Sequence, residues 1–413
     1  MSQAASSSER RTFLLDNLSS LPGGCVETLS LTFGVLIAVR VFEAGQYAKA
    51  ALVAAPSFGL LLSLFIVPLV SRIGVSVNRA SAWIWFVSAL SLGLAALFGR
   101  TLELFLVFVF IALVGVTLAI PLISQIYRKH YPGEKRGRLF AIAAAVRKVA
   151  VIAMATCFGW FLDKHLEGFP WLLVIYAVAC VGMGCCVWAM DPVSLPKTSE
   201  LRLFSALDHL RTDVVFRRLI VSWMILGFGN LICYALFVEY LANPIYGYDL
   251  SGKQVAFFTS SVPEVMVLLS VIGWGVVFDR VDFFLLRVTL NVLFIAGVLV
   301  FFNGHGPWAL GIGIGLHGIA RAGGNVAWSL WATKFAKPDH VAEYMSVHTF
   351  LCGLRGVAAP FFAFPLASLM SPQMVSWVGA GLMLLASVMI APWVRFTFTK
   401  NGDVEAEPDP RVT

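Results

Sequence analysis

Twelve apolar segments of about bilayer-spanning length follow one another along this chain, and the breaks between them hold most of its charge. About 20 apolar residues cross the ~30 Å hydrocarbon core as a helix that satisfies its own backbone polar groups. The segments fall at 19–41, 47–70, 80–99, 102–126, 138–162, 170–190, 217–241, 253–278, 284–303, 307–333, 341–369 and 373–396. Composition agrees: 59% of the 413 residues are hydrophobic and 13% are charged, against roughly 45–50% and 25% in soluble domains. The expected fold class is therefore an all-α polytopic membrane protein.

Lys and Arg set the expected orientation. With the N-terminus in the cytoplasm, 21 of them fall in cytoplasmic loops and tails, five on the opposite side and four inside spans. A bias of that size follows the positive-inside rule and puts both termini in the cytoplasm. The net charge of +7 is mostly this topological signal and no sign of a nucleic-acid partner. The expected membrane is the plasma membrane, or the inner membrane if the source is bacterial. The longest break lies at mid-chain. It divides the sequence into a tail at 1–18, a six-span bundle at 19–190, a central loop at 191–216, a second six-span bundle at 217–396 and a tail at 397–413. Within the loop Leu203, Leu207 and Leu210 recur opposite Arg202, Asp208 and Arg211, a pattern that suits either a short interfacial helix or a solvated linker.

The halves repeat weakly. Ala55-Pro56-Ser57 and Ser71-Arg72-Ile73-Gly74 in the second span and its exit align with Val262-Pro263-Glu264 and Asp279-Arg280-Val281-Asp282 in the eighth. Internal symmetry between halves is a transporter signature. All seven cysteines (Cys25, Cys157, Cys180, Cys185, Cys186, Cys233 and Cys352) lie in apolar segments. They read as packing residues, with neither disulfide nor metal expected. Gly311, Gly313 and Gly315 alternate without the strand that a dinucleotide site needs, and no P-loop is present, so no cofactor and no ATP drive are expected.

With these features the chain resembles the major facilitator superfamily over about 17–396. Three stretches carry the resemblance. Gly275 to Arg280 matches the GxxxD(R/K) loop, with Pro68 to Gly74 as its first-half counterpart. Pro132 to Arg138 resembles the loop before span 5, and Asp213 to Arg217 the start of span 7. Ser71 and Pro68 stand where that loop usually has an acid and a glycine. Span 4 lacks the arginine of proton-driven drug exporters. Their Gly-Pro pair is missing from span 5, its nearest likeness being Gly356 and Pro360 in span 11. The resemblance implies two six-helix bundles with pseudo-two-fold symmetry, alternating access, and a gating loop at Arg72, Asp279 and Arg280.

Polar residues inside the spans are the candidate site, because a charge at mid-bilayer costs about 2.5–3.5 kcal/mol on insertion scales and normally faces a cavity. In span 10, His317, Arg321, Asn325 and Trp328 share one helical face. Arg321 lies too deep to snorkel outward. His348, Cys352 and Arg355 share a face of span 11. Adjacent Arg147 and Lys148 in span 5 point about 100° apart; Arg147 is taken for the cavity. Glu264 is the candidate proton carrier, or else a fixed partner of Arg321 or Arg355. Glu27 is a substrate contact or a structural ion. Asn230 and Tyr234, one turn apart, can hydrogen-bond a solute. Glu239, near the end of its span, reads as interfacial. Glu27, Asn230, Glu264, Arg321 and Arg355 are expected to converge at mid-depth.

The resulting expectation is a non-enzymatic, monomeric secondary transporter of a small organic solute, driven by a proton or counter-solute. Because in-span cations outnumber acids, the solute is expected to be anionic or zwitterionic. The alternatives are proton-coupled efflux of hydrophobic drug-like compounds and a sensor or lipid-handling protein on the same fold.

Overall fold

The structure is a computed structural model that describes residues 7–195, 209–331, 334 and 341–394. Among the described residues twelve helices account for the apolar segments. They are α1 (Ser7–Arg40), α2 (Gln46–Ile73), α3 (Val77–Phe98), α4 (Leu102–His130), α5 (Gly133–Lys164), α6 (Phe169–Ala189), α7 (Val214–Ala242), α8 (Gly252–Arg280), α9 (Phe283–Asn303), α10 (Gly306–Leu330), α11 (Val341–Met370) and α12 (Pro372–Ile390). Eleven are long and apolar enough to cross a membrane. The other, α10, has the length at 25 residues; its glycines together with His317, Arg321 and Asn325 dilute its apolarity.

The chain forms two compact units, Met1–Glu200 with Val238–Ser261, and Leu201–Phe237 with Val262–Thr413. The same helix pairs pack in each. In the first unit α1 packs on α5 and α6, α2 on α4, and α3 on α4 and α6. In the second α7 packs on α11 and α12, α8 on α10, and α9 on α10 and α12. This correspondence is the internal repeat in three dimensions. Small residues allow the close contacts. A Cβ on Gly59 of α2 would run into Val114 and Thr117 of α4, and one on Gly318 of α10 would run into Pro263 of α8. Outward faces carry exposed large apolar side chains, such as Leu97 and Ile272, as lipid contact requires.

Two differences from the sequence reading are informative. The first helix begins at Ser7, not at 19, and one face of its polar stretch (Glu9, Thr12, Asp16, Ser19 and Ser20) is buried, while Arg10 and Arg11 stay exposed. Asp16 accepts from the hydroxyls of Tyr127 (2.6 Å) and Tyr131 (3.0 Å), and Thr12 meets His130 Nδ1 at 2.8 Å. The charged start of this span is therefore internal structure of the unit. Secondly, α1 and α8 each contain one π-helical turn, at Leu29–Phe33 and Phe257–Ser261, a feature often found at functional positions. Of the central loop, His209–Thr212 is helical. Residues 202–208 of the proposed interfacial helix lie outside the described residues, as does the tail from 395 onward.

Candidate functional site

In the second unit the structure brings most of the in-span polar residues together in pairs. Arg321 Nη2 of α10 donates to Glu264 Oε1 of α8 at 2.5 Å. Glu264 is fully buried, while the Arg321 side chain keeps 23% exposure. Glu264 follows Pro263 at the end of the π turn, and the tight passage at Gly318 holds α10 against it. Four residues before Arg321, His317 Nε2 meets Asn230 Oδ1 of α7 at 3.0 Å. The His317 ring stacks on Tyr234, with Phe237 and Phe294 edge-on to it. Asn325 is exposed, and its described hydrogen bond is through its carbonyl, to Ser329.

A second group lies nearer the start of α11. Arg355 crosses to α7, where its Nη1 donates to the Trp223 carbonyl at 2.5 Å. Gly227 provides the seat, since a Cβ there would collide with the guanidinium. His348 is fully buried, and its Nδ1 accepts from Trp331 Nε1 at 2.8 Å. Arg287 of α9 lies with its guanidinium carbon 3.9 Å from the centroid of the Trp223 ring and is 3% exposed. The sequence reading counted Arg287 among the topological loop charges. The signal it overlooked was its own segment at 284–303, which contains Arg287; Asp282, whose side chain accepts from Leu285 N, caps α9 and sets Arg287 a full turn inside the helix.

In the first unit Lys148 Nζ donates to Glu27 Oε1 at 2.6 Å, both side chains about a quarter exposed. Arg147 instead lies against Gly23 of α1, within the field of Asp16. Arg147 and Arg355 thus occupy matching places, each on the helix that packs against the first helix of its half, and each resting on a glycine. Glu239 requires a correction. It is 2% exposed and accepts from Lys49 Nζ at 2.7 Å and from Asn243 Nδ2 at 2.8 Å; it is a buried ion-pair residue of this unit, not an interfacial one. Nearby, the two π turns meet through Thr32 Oγ1, 2.6 Å from Thr259 Oγ1 and 2.8 Å from Ser260 Oγ. Asp163 accepts the amides of Gly252 and Lys253, so that it caps the start of α8.

Arg72, Asp279 and Arg280 of the loop motifs are exposed. Lys334 donates to the Phe278 carbonyl at 2.6 Å and lies over the Phe278 ring. Burial pushes its ammonium pKa down, and Asp279 and Asp282 act against that. The acid of the motif therefore lies in the field of Lys334, and Asp282 caps α9.

The chain belongs to the Major Facilitator Superfamily, whose model matches residues 28–360. Its fold is the two-bundle fold of that superfamily, and the chain is a multi-pass membrane protein of a transporter family. Among solved structures it is similar to a variant of the nucleoside transporter NupG, at 15% identity and a TM-score of 0.77, covering 93% of this chain and all of that one. The D-xylose–proton symporter matches at 14% identity and TM-score 0.68, over 94% and 98% of the two chains. The human organic anion transporter MFSD10 matches at 15% and 0.65, over 92% and 99%. At these identities the likeness concerns the fold. No curated protein matches the chain.

Proposed function

We propose that this protein is a secondary active transporter that moves a small anionic or zwitterionic organic solute by alternating access, with a proton or second solute as the driving partner. One observation carries the substrate class. Of the four in-span cations named from sequence, Lys148 and Arg321 each hold a carboxylate, whereas the described hydrogen bond of Arg355 goes to a neutral carbonyl. A half-buried cation within a span and without an acid is costly unless a ligand supplies the counter-charge. Glu264 is the candidate coupling group, since its proton would compete with Arg321 for the same carboxylate. Glu27, Arg147, Asn230, Tyr234, His317, Asn325 and His348 complete the candidate binding set, with Arg72, Asp279 and Arg280 as the gating loop. The charge bias of the loops supports cytoplasmic termini in a plasma membrane.

The test is transport by the purified protein in proteoliposomes, with and without a pH gradient, against radiolabelled carboxylates, phosphate esters, amino acids, nucleosides and sugars. Saturable uptake of an anionic or zwitterionic solute is expected. Glu264→Gln should abolish accumulation driven by the pH gradient and leave exchange at equal solute concentrations. Uptake confined to uncharged or cationic solutes would overturn the substrate class. Gradient-driven accumulation that survives in Glu264→Gln would remove the coupling role.

A further inference from the structure

We infer that Arg287, Arg355 and His348 form a built oxyanion subsite inside the second unit, which takes the carboxylate or phosphate group of the carried solute. The inference rests on the transporter reading above and extends it to a residue, Arg287, that the candidate set did not contain. Three features carry it. The first is an excess of donors. Arg287 is 3% exposed and makes no hydrogen bond to any described residue. The Arg355 Nε and His348 Nε2 atoms are buried without a partner among the described residues. Because His348 Nδ1 accepts from Trp331, the proton of the neutral ring sits on Nε2, which makes that atom a donor as well.

The second feature is the lack of acid. Among the groups that act electrostatically on Arg287 are Arg355 and the Cys352 thiol, and among those on His348 are the two arginines. Glu264 is engaged with Arg321. Two guanidinium groups thus lie near one another, and neither forms an ion pair with a carboxylate among the described residues. This arrangement is costly in an apolar interior and becomes favourable when an anion joins it. The third feature is preorganisation. Trp223 holds Arg287 against its ring face and fixes Arg355 through its carbonyl, and Gly227 leaves room for the second guanidinium. Guanidinium groups bind carboxylates and phosphates through two parallel hydrogen bonds to two oxygens, which favours either over a spherical halide.

The experiment is equilibrium binding of labelled inorganic phosphate and labelled acetate to the purified full-length protein in chloride buffer. Saturable binding is expected. Arg287→Met and Arg355→Gln should each weaken it at least tenfold, while Arg218→Gln, an exposed cation, leaves it within twofold. Melting temperature separates a ligand from a structural bolt. The anion-free Arg287→Met protein should melt at or above wild type, and phosphate should no longer raise its melting point. A variant that melts lower without anion, or binds phosphate and acetate within twofold of wild type, overturns the subsite, as does a wild type that binds neither. If anionic solutes are carried equally well by Arg287→Met, the subsite fails and the transport reading stands. If anion binding is lost in the variant but the wild type carries no anionic solute, the transport reading fails and the anion site stands without it.

Discussion

Removal of either partner of the Glu264–Arg321 pair should destabilise the protein unequally. Arg321→Gln leaves a fully buried carboxylate without its cation; loss of one partner from a buried pair costs about 3–5 kcal/mol. Glu264→Gln leaves a guanidinium whose side chain is 23% exposed and retains access to water, so the cost falls toward the ~1–3 kcal/mol of a lost partner at a partly buried polar group. The double variant Glu264→Gln/Arg321→Gln removes both charges and should lose less than the two single variants together, with a coupling of at least ~1 kcal/mol. At about 2–4 °C per kcal/mol for a domain of 150–250 residues, Arg321→Gln should lower the melting temperature by roughly 6–20 °C. A thiol-reactive dye reads this directly, since Cys233 and Cys352 are buried in the same unit and react on unfolding. Single effects that add to within ~0.5 kcal/mol in the double variant would refute a coupled pair and leave the two side chains as independent packing groups.

Two further outcomes follow from the geometry. Lys49→Met strands the carboxylate of Glu239, so the contact between the π turns should loosen; in a Cys157→Ser/Cys185→Ser background carrying Thr32→Cys and Ser260→Cys, disulfide yield should fall several-fold when Lys49→Met is added, and an unchanged yield would show that the pair does not hold this contact. Gly227→Ala puts a Cβ where the Arg355 guanidinium lies and should reduce solute uptake about as much as Arg355→Gln, whereas Gly273→Ala, with nothing within 4 Å of the added carbon, should be silent in the same proteoliposome assay.

The helices were legible in the sequence because bilayer thickness fixes their length, and the segment at 307–333 stood out even though its polar face dilutes its apolarity. The start of α1 was not legible. Its polar residues look like a solvated tail until Tyr127, Tyr131 and His130 are brought against Asp16 and Thr12. Helical spacing correctly put His317 and Arg321 on one face, but spacing names a face and not a partner. Glu264 stood equally well with Arg321 or Arg355 in the sequence, and tertiary packing at Gly318 decided for Arg321. Charge counting hid Arg287 for a different reason. A cation near a span end is normally topological, and although Arg287 falls within the segment at 284–303, spacing alone does not show that it packs against Trp223. Glu239 was misread by the same logic, since its partner Lys49 is remote in sequence.

The repeat gives these charges a common origin and also separates them. Arg147 and Arg355 each lie 14 residues beyond the first residue of their helices, Gly133 and Val341, and each rests on a glycine of the first helix of its half, Gly23 or Gly227. The surroundings then diverge. In the first unit Arg147 lies in the field of Asp16, and its neighbour Lys148 is held by Glu27, so acids lie near both cations there. In the second unit Arg355 is joined by Arg287 and His348, and neither arginine forms an ion pair with a carboxylate among the described residues. A duplicated scaffold that keeps one cation in both halves, yet sets an acid near it in only one, makes the second half the better place for a charge from outside. That asymmetry, more than the number of in-span cations, is the physical reason to assign anion recognition to the second unit.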